Sequence, residues 1–440
     1  MKNVLIAIFF TSIAASNAIS QLTKSLYVVN GLGGTLSKVD LENGTVYDDI
    51  VTLGDWPNDI VVRGDRAYVI NSGSADMYVI DLLGDSLLSV IDLGEGNNPW
   101  SAAFYDDETM YVTNFLTNTV SKVDVSLGEV VSTIGVGVGP EGLLVEGGLL
   151  YVANTGVAWP EYGDGTVSVI DLTTESVIDT VTVGKNAQDL VMDPQGELNV
   201  ICTGDYATSF GTIYCVDSAT GTVTDSVWTG GFPARAAITG LGFLYAAAGG
   251  WIENGEVYLH NTISNTLLHG SEDPITTGTT AMDVAVCTEG YMYAVSFDSN
   301  TVSVYDIPDE YVTDYQVGQG PTAIALWEAP WIEVNAVPER RIIRRGGTLV
   351  FTVNIEQTGT DEESVRAMSF LVLPGGVPFA GNPVIGPFSL TLTAGESHSV
   401  ELSGTIPDAA PVGRYVLYTI AFDTDSRRKA VDSFWFHVIP

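Results

Sequence analysis

Four carboxylates, Asp59, Glu141, Asp189 and Asp283, fall near corresponding points of a recurring segment, each at the start of a short apolar run. Acidic side chains that converge can act as general acid and general base, or hold a substrate hydroxyl, in hydrolysis or elimination. One guanidinium, Arg235 in Phe232-Pro233-Ala234-Arg235, supplies the basic residue at such a start. Other chemistries are poorly provided for. The histidines are His260 and His269 in one repeat and His398 and His437 near the end, and no pair has metal-ligand spacing. The chain has no Cys-x-x-Cys-His haem motif, no glycine-rich phosphate loop and no Gly-x-Ser-x-Gly elbow. No cofactor and no specific metal site is expected. Cys202, Cys215 and Cys287 are too few for a disulfide framework. Cys202 and Cys215 lie on consecutive strands and either meet across a hairpin or serve, like Cys287, as small buried hydrophobes.

The elements that must position these residues are written in a repeat. Tyr27-Val28-Val29-Asn30, Tyr68-Val69-Ile70-Asn71, Tyr111-Val112-Thr113-Asn114 and Tyr151-Val152-Ala153-Asn154 follow one another at steps of 41, 43 and 40 residues. Asn199-Val200-Ile201-Cys202, Tyr245-Ala246-Ala247-Ala248 and Tyr293-Ala294-Val295-Ser296 fill the same slot at longer steps. Each unit holds four strand-like runs between Gly, Asn and Asp turns, and a period near 40 built this way predicts β-propeller blades. Seven slots predict seven blades. The first unit lacks the run that normally precedes its Tyr-Val-x-Asn strand, and an unpaired run at 321–327 matches 57–62 and 140–145. The spare run should close the ring against the strand around 26–30, which removes two exposed edges.

The pattern resembles the YVTN β-propeller repeat proteins of surface layers and secreted proteins. The residues that carry the likeness are Pro140-Glu141-Gly142-Leu143, Tyr151-Val152-Ala153-Asn154, Val167-Ser168-Val169-Ile170-Asp171 and Val181-Thr182-Val183-Gly184. The likeness spans roughly residues 22–328 and implies the fold more strongly than any function. The proline is missing from the lead-ins at 185–190 and 279–284, so those two blades are expected to start differently.

Residues 1–20 read as a secretory signal peptide: Lys2, an apolar run over 4–10, then small residues. The apolar core is too short to span a membrane. The mature chain is expected to be secreted, extracellular or periplasmic, or held at the cell surface, without membrane insertion. The net charge of −37 sits almost entirely in the repeats, since 330–440 holds nine basic and twelve acidic residues. Such a field repels nucleic acid and suits non-specific association with divalent cations, but no EF-hand or similar loop is present. After 329 the repeat stops. About seven strand-like runs in 330–440, with the stretch 407–415 resembling the late-strand start of bacterial Ig-like modules, predict an Ig-like or fibronectin-type sandwich. Its cluster Arg340, Arg341, Arg344 and Arg345 either docks on the acidic propeller or decorates an exposed turn.

Aspartates at strand ends (Asp40, Asp81, Asp124, Asp171, Asp217, Asp306) and the asparagines of the tetrapeptide recur with the repeat, which argues for structural roles. Binding residues belong where repeats differ. The loops that enter the innermost strands and those that follow the second strands carry unrepeated aromatics, among them Trp56, Trp100, Trp159, Tyr162, Tyr206 and Trp251. With Arg235 these form the candidate ligand face, unless they only pack between blades or cap the channel. The expected fold is all-β, a seven-bladed propeller over 21–329 and a sandwich over 330–440. The expected function is a non-enzymatic binding or scaffold protein holding an extracellular protein segment or glycan on that face. A lyase or hydrolase using Asp59, Glu141, Asp189 and Asp283 is the alternative, and a structural spacer in a surface layer a third reading.

Overall fold

The computed structural model describes residues 24–158, 161–249, 255–287, 290–328, 332–358, 362–374, 377–423 and 429–440. Residues 1–23, where the sequence predicts a signal peptide, Trp159, Trp251 and the junction at 329–331 lie outside them. The described residues contain strands and turns and no helix. Up to residue 328 they form seven antiparallel sheets, six of four strands and one of five, and one two-stranded hairpin. Within each sheet the Tyr-Val-x-Asn strand is second from the inside, so both its faces are covered and it is buried along nearly its whole length. Outermost strands such as Ser86–Asp92 face solvent.

The recurring residues hold the sheets together. The tetrapeptide asparagines are buried, and Asn30, Asn114 and Asn154 each donate from Nδ2 to two hydroxyls on the next strand, as Asn30 does to Thr35 at 3.0 Å and Ser37 at 2.8 Å. Strand-end aspartates cap the following turn: Asp171 Oδ1 accepts the amides of Thr173 (2.8 Å) and Thr174 (2.9 Å), and Asp124 and Asp217 repeat the arrangement. The tyrosine reaches the neighbouring blade, with the Tyr27 hydroxyl donating to the Leu82 carbonyl and to Asp85 at 3.1 Å each. Core layers therefore form between sheets. One of them joins Tyr27, Val29 and Leu36 of the first sheet to Ile60, Val69 and Ile80 of the second.

The ring closes where the spare run predicts. Pro321–Glu328 is the innermost strand of the first sheet, antiparallel to Lys24–Asn30, with Lys24 opposite Glu328 and Val28 opposite Ile324. Trp327 is buried at this seam, and its Nε1 donates to the Gly64 carbonyl of the second sheet at 3.0 Å. Cys202, Cys215 and Cys287 are buried free thiols. Cys202 stands opposite Thr212 and Cys215 opposite Asn199, so the two are out of register for a bond across the hairpin.

Beyond 331, two further sheets enclose a core around Phe351, Tyr415, Phe434 and Phe436. Of the arginine cluster, Arg340, Arg344 and Arg345 are exposed, and Arg341 takes part in the contact with the propeller only through Trp435. Arg345 donates to the Ala410 carbonyl at 2.7 Å, inside the same unit. Contact is made by Arg414, 3.8 Å from Asp217, and by Trp435, which stacks under Arg341 and Arg414 and leaves no room for a side chain at Gly196. Asp217 and Gly196 stand at the strand ends opposite the lead-ins, so this contact leaves the lead-in face of the ring uncovered.

Removing the seam indole should cost about 3–5 kcal/mol. Trp327→Ala is expected to lower the melting temperature strongly in thermal denaturation, whereas Trp56→Ala, at a side chain 73% exposed, should leave it nearly unchanged. Equal melting temperatures for the two variants would contradict the seam's role.

Candidate functional site

The innermost strands start with a bulge. Pairing with the next strand shifts register between Pro57 and Asp59, between Ala187 and Asp189 and between Ala281 and Asp283. A bulge turns two consecutive residues away from regular pairing and re-aims their side chains. In the third, fourth, fifth and seventh sheets the second and third lead-in residues face the channel, and in the second sheet the third, Asp59, does. They line one cavity of about 530 Å³ together with Trp100, Tyr206, Phe232 and Phe297.

All four predicted carboxylates and Arg235 meet in this cavity, but they are of two kinds. Asp59, Asp189 and Asp283 occupy the third lead-in position and latch the ring. Asp59 Oδ2 accepts the Ala102 amide at 3.1 Å, Asp189 Oδ2 the Ala236 amide at 2.8 Å and Asp283 Oδ2 the Ile324 amide at 3.0 Å, each on the next innermost strand. Arg235 crosses the channel from the sixth sheet to the second. Its Nη1 lies 2.8 Å from Asp59 Oδ1 and 3.8 Å from Asp283, and its Nη2 donates to the Asn58 carbonyl at 2.8 Å. Burial disfavours its charge, but Asp59, Asp283 and Asp189 outweigh this and raise its pKa.

Glu141 sits one position earlier, at the second lead-in residue. The third position of its sheet is Gly142, where a Cβ would fall 2.6 Å from Asp189 Oδ1 and 2.7 Å from its Cα. The Asp189 carboxylate thus leans over Gly142 into the space beside Glu141. Glu141 is only 7% exposed, and no donor among the described residues bonds its carboxyl group. Burial pushes its pKa up to about 8, with the Asp189 charge adding to the rise and Arg235 opposing it. Burial also raises Asp189 to about 6 and Asp283 to about 7, against the amides they accept and the Arg235 charge.

The predicted aromatics divide. Trp100 packs on Phe115 with ring centroids 5.6 Å apart and lines the cavity. Tyr206, held with φ 57°, lines it too and begins a chain of rings through Phe232 to Phe210, at 5.2 and 5.9 Å. Tyr162, on the small hairpin formed by Val157–Ala158 and Glu161–Tyr162, packs edge-on against Tyr206 at 5.7 Å. Trp56 is directed to solvent and does not line the cavity. Sequence reasoning did not single out Gln188 and Phe297. Gln188 is legible in hindsight as the second lead-in residue of its repeat, beside Asp189, and its Nε2 lies 3.4 Å from the Tyr206 hydroxyl. Among the described residues no three His, Cys, Asp or Glu side chains stand close enough to hold a metal ion.

No protein-family model and no curated protein matches the chain. Solved structures do. A candidate 6-phosphogluconolactonase from Bacteroides uniformis aligns at 14% identity over 70% of this chain and 100% of that one, with a TM-score of 0.56. Kuenenia stuttgartiensis hydrazine synthase aligns at 18% identity over 68% and 100%, with a TM-score of 0.54. The WD40 β-propeller domain of Doa1 aligns at 14% over 64% and 88%, with a TM-score of 0.51. The fold is that of a β-propeller. At these identities the likeness extends to architecture alone.

The raised carboxyl groups give a pH signature. Each binds its proton more tightly folded than unfolded, so between about pH 4 and 8 the folded state carries the extra protons and stability falls as pH rises. Melting temperature should drop from pH 5 to pH 9, and Glu141→Gln should flatten the part between pH 7 and 9. An unchanged slope there in the variant would contradict this assignment.

Proposed function

We propose that this chain is a secreted or cell-surface, non-enzymatic binding protein. In this reading it is a YVTN-type propeller of seven blades over 21–329, preceded by a signal peptide at 1–20 and followed by an Ig-like domain at 330–440. Its ligand, an extracellular protein segment or glycan, is held at the channel mouth. The observation that carries the reading is the channel cavity, about 530 Å³, walled by Trp100, Tyr206, Phe232 and Phe297 over a polar floor. That volume and that mixture of aromatic wall and few polar groups suit a ligand site. Trp100 and Tyr206 do not recur with the repeat, although every blade packs on its neighbour in the same way. The acidic exterior fits a partner that is neither nucleic acid nor membrane, with divalent cations as its diffuse counterions.

A hydrolase or lyase is the second reading, favoured by one observation. Glu141, pushed up to about 8, and Asp189, at about 6, stand together with separated pKa values, the condition for one to donate and the other to accept a proton near neutral pH.

Glycan and peptide arrays probed with the full protein should return a captured ligand. Trp100→Ala and Tyr206→Ala should each weaken it by tens of fold, about 2 kcal/mol for a buried aromatic anchor, with little change in melting temperature. Trp56→Ala should change neither. Binding that survives both cavity variants would place the site elsewhere, and conversion of the ligand that disappears in Glu141→Gln would favour the enzyme.

A further inference from the structure

Three of the four cavity carboxylates already have partners. Asp59 is paired with Arg235, and Asp189 and Asp283 accept amides from their own and the next innermost strand. Glu141 alone is buried, aimed into the cavity and without a hydrogen-bond partner among the described residues. Around the ring its neighbours at the second lead-in position are Trp100 on one side and Gln188, with Tyr206 beyond it, on the other.

We propose that the channel mouth is a receptor for a primary ammonium, the lysine side chain of a protein segment, seated on the Glu141 carboxylate with its methylenes against Trp100, Tyr206 and Phe232. The inference rests on the reading of the mouth as the ligand site and selects the protein segment over the glycan. A single carboxylate beside aromatic rings matches an ammonium, which gains one charge-assisted hydrogen bond and the attraction of the ring faces. A hard divalent ion needs six or more oxygens, and the described residues bring no three suitable ligands together. An excess of 54 acidic over 17 basic residues steers a basic polypeptide toward the ring. Binding is then an exchange. The Glu141 proton leaves for solvent, and the lysine, still protonated, takes its place as the neutralising partner. One proton is released per lysine bound below pH 8, and none well above it.

The groups facing Glu141 fix the pH window. Asp189 and Asp283 titrate at about 6 and 7. Arg235 keeps its charge, and burial holds the Tyr162 and Tyr206 hydroxyls neutral. Asp59 is paired with Arg235. From pH 7 to 9 the Glu141 carboxyl therefore dominates the change.

The test uses the full chain and fluorescent hexapeptides that carry one central lysine, with twins carrying Nε-acetyl-lysine, and n-butylamine as a competitor for a free-amine site. Lysine peptides should bind at least tenfold more tightly than their acetylated twins. Affinity should rise from pH 7 to 9, and titration calorimetry in two buffers should register proton release near pH 7. In Glu141→Gln, checked for an intact melting transition, the lysine preference, its pH dependence and the proton release should all vanish. Equal binding of the twins, a lysine preference that persists in Glu141→Gln, or no peptide binding at all would overturn the inference. So would butylamine binding as tightly as the lysine peptides, which would make the occupant a free amine. If array glycans still bind in a manner that depends on Trp100, the ammonium inference alone has failed; if nothing bound depends on Trp100, the mouth reading has failed with it.

Discussion

The antiparallel pairing of Lys24–Asn30 with Pro321–Glu328 is the constraint on which the rest depends. It joins segments almost three hundred residues apart, and closing a loop of that length costs on the order of 5 kcal/mol in chain entropy. The cost is offset because closure lets the first and last sheets bury their faces against each other. Tyr27 and Val29 enter one interblade layer, while Leu26 and Val28 enter another with Tyr293 and Val304. The cavity exists only in the closed ring. Asp283 reaches Ile324 of the closing strand, and Arg235 reaches Asp59, so an open ring would lose both its latch and its central ion pair.

Much of the fold was legible because repetition separates structural residues from others. The tetrapeptide asparagines and the strand-end aspartates recur, and they bond within their own sheets and turns, as recurrence implies. The seam was legible from one missing run and one spare run. The site was legible in part. Convergence of Asp59, Glu141, Asp189 and Asp283 could be read from their common place at the lead-ins, but not their division into three latches and one unpaired acid. That division turns on a shift of one residue at a bulge, where side-chain phase is lost to simple alternation. The clue was Gly142, which holds the latch position of its own sheet without a side chain and makes room for Asp189.

The aromatics show the same limit. Trp56 and Trp100 precede or begin innermost strands in neighbouring repeats, yet one points to solvent and the other lines the cavity. Trp56 comes before Pro57 and has φ 53°, whereas Trp100 comes after Pro99 and is already in the strand. A single place relative to a proline decides between the two, and loop composition does not register it. The basic cluster near residue 340 shows a related limit. Charge count leaves docking and an exposed turn equally open, while the contact with the propeller is made by the Trp435 indole under a residue that has no side chain and by Arg414 beside Asp217, with Arg341 stacked on the indole.

The seam also has a mechanical side. Lys24 and Glu328 face each other at one end of the closing pair and are joined by an ion pair of 2.6 Å. The chain arrives at Lys24 and leaves from Glu328 at that same end. Hydrogen bonds of an antiparallel pair lie across the strands. Tension applied through the two flanking segments would therefore load these bonds one at a time and peel the pair like a zipper, instead of shearing them together. Any arrangement that anchors the molecule through both flanks makes the seam its weakest line under force. One that anchors it through a single flank leaves the ring unstressed.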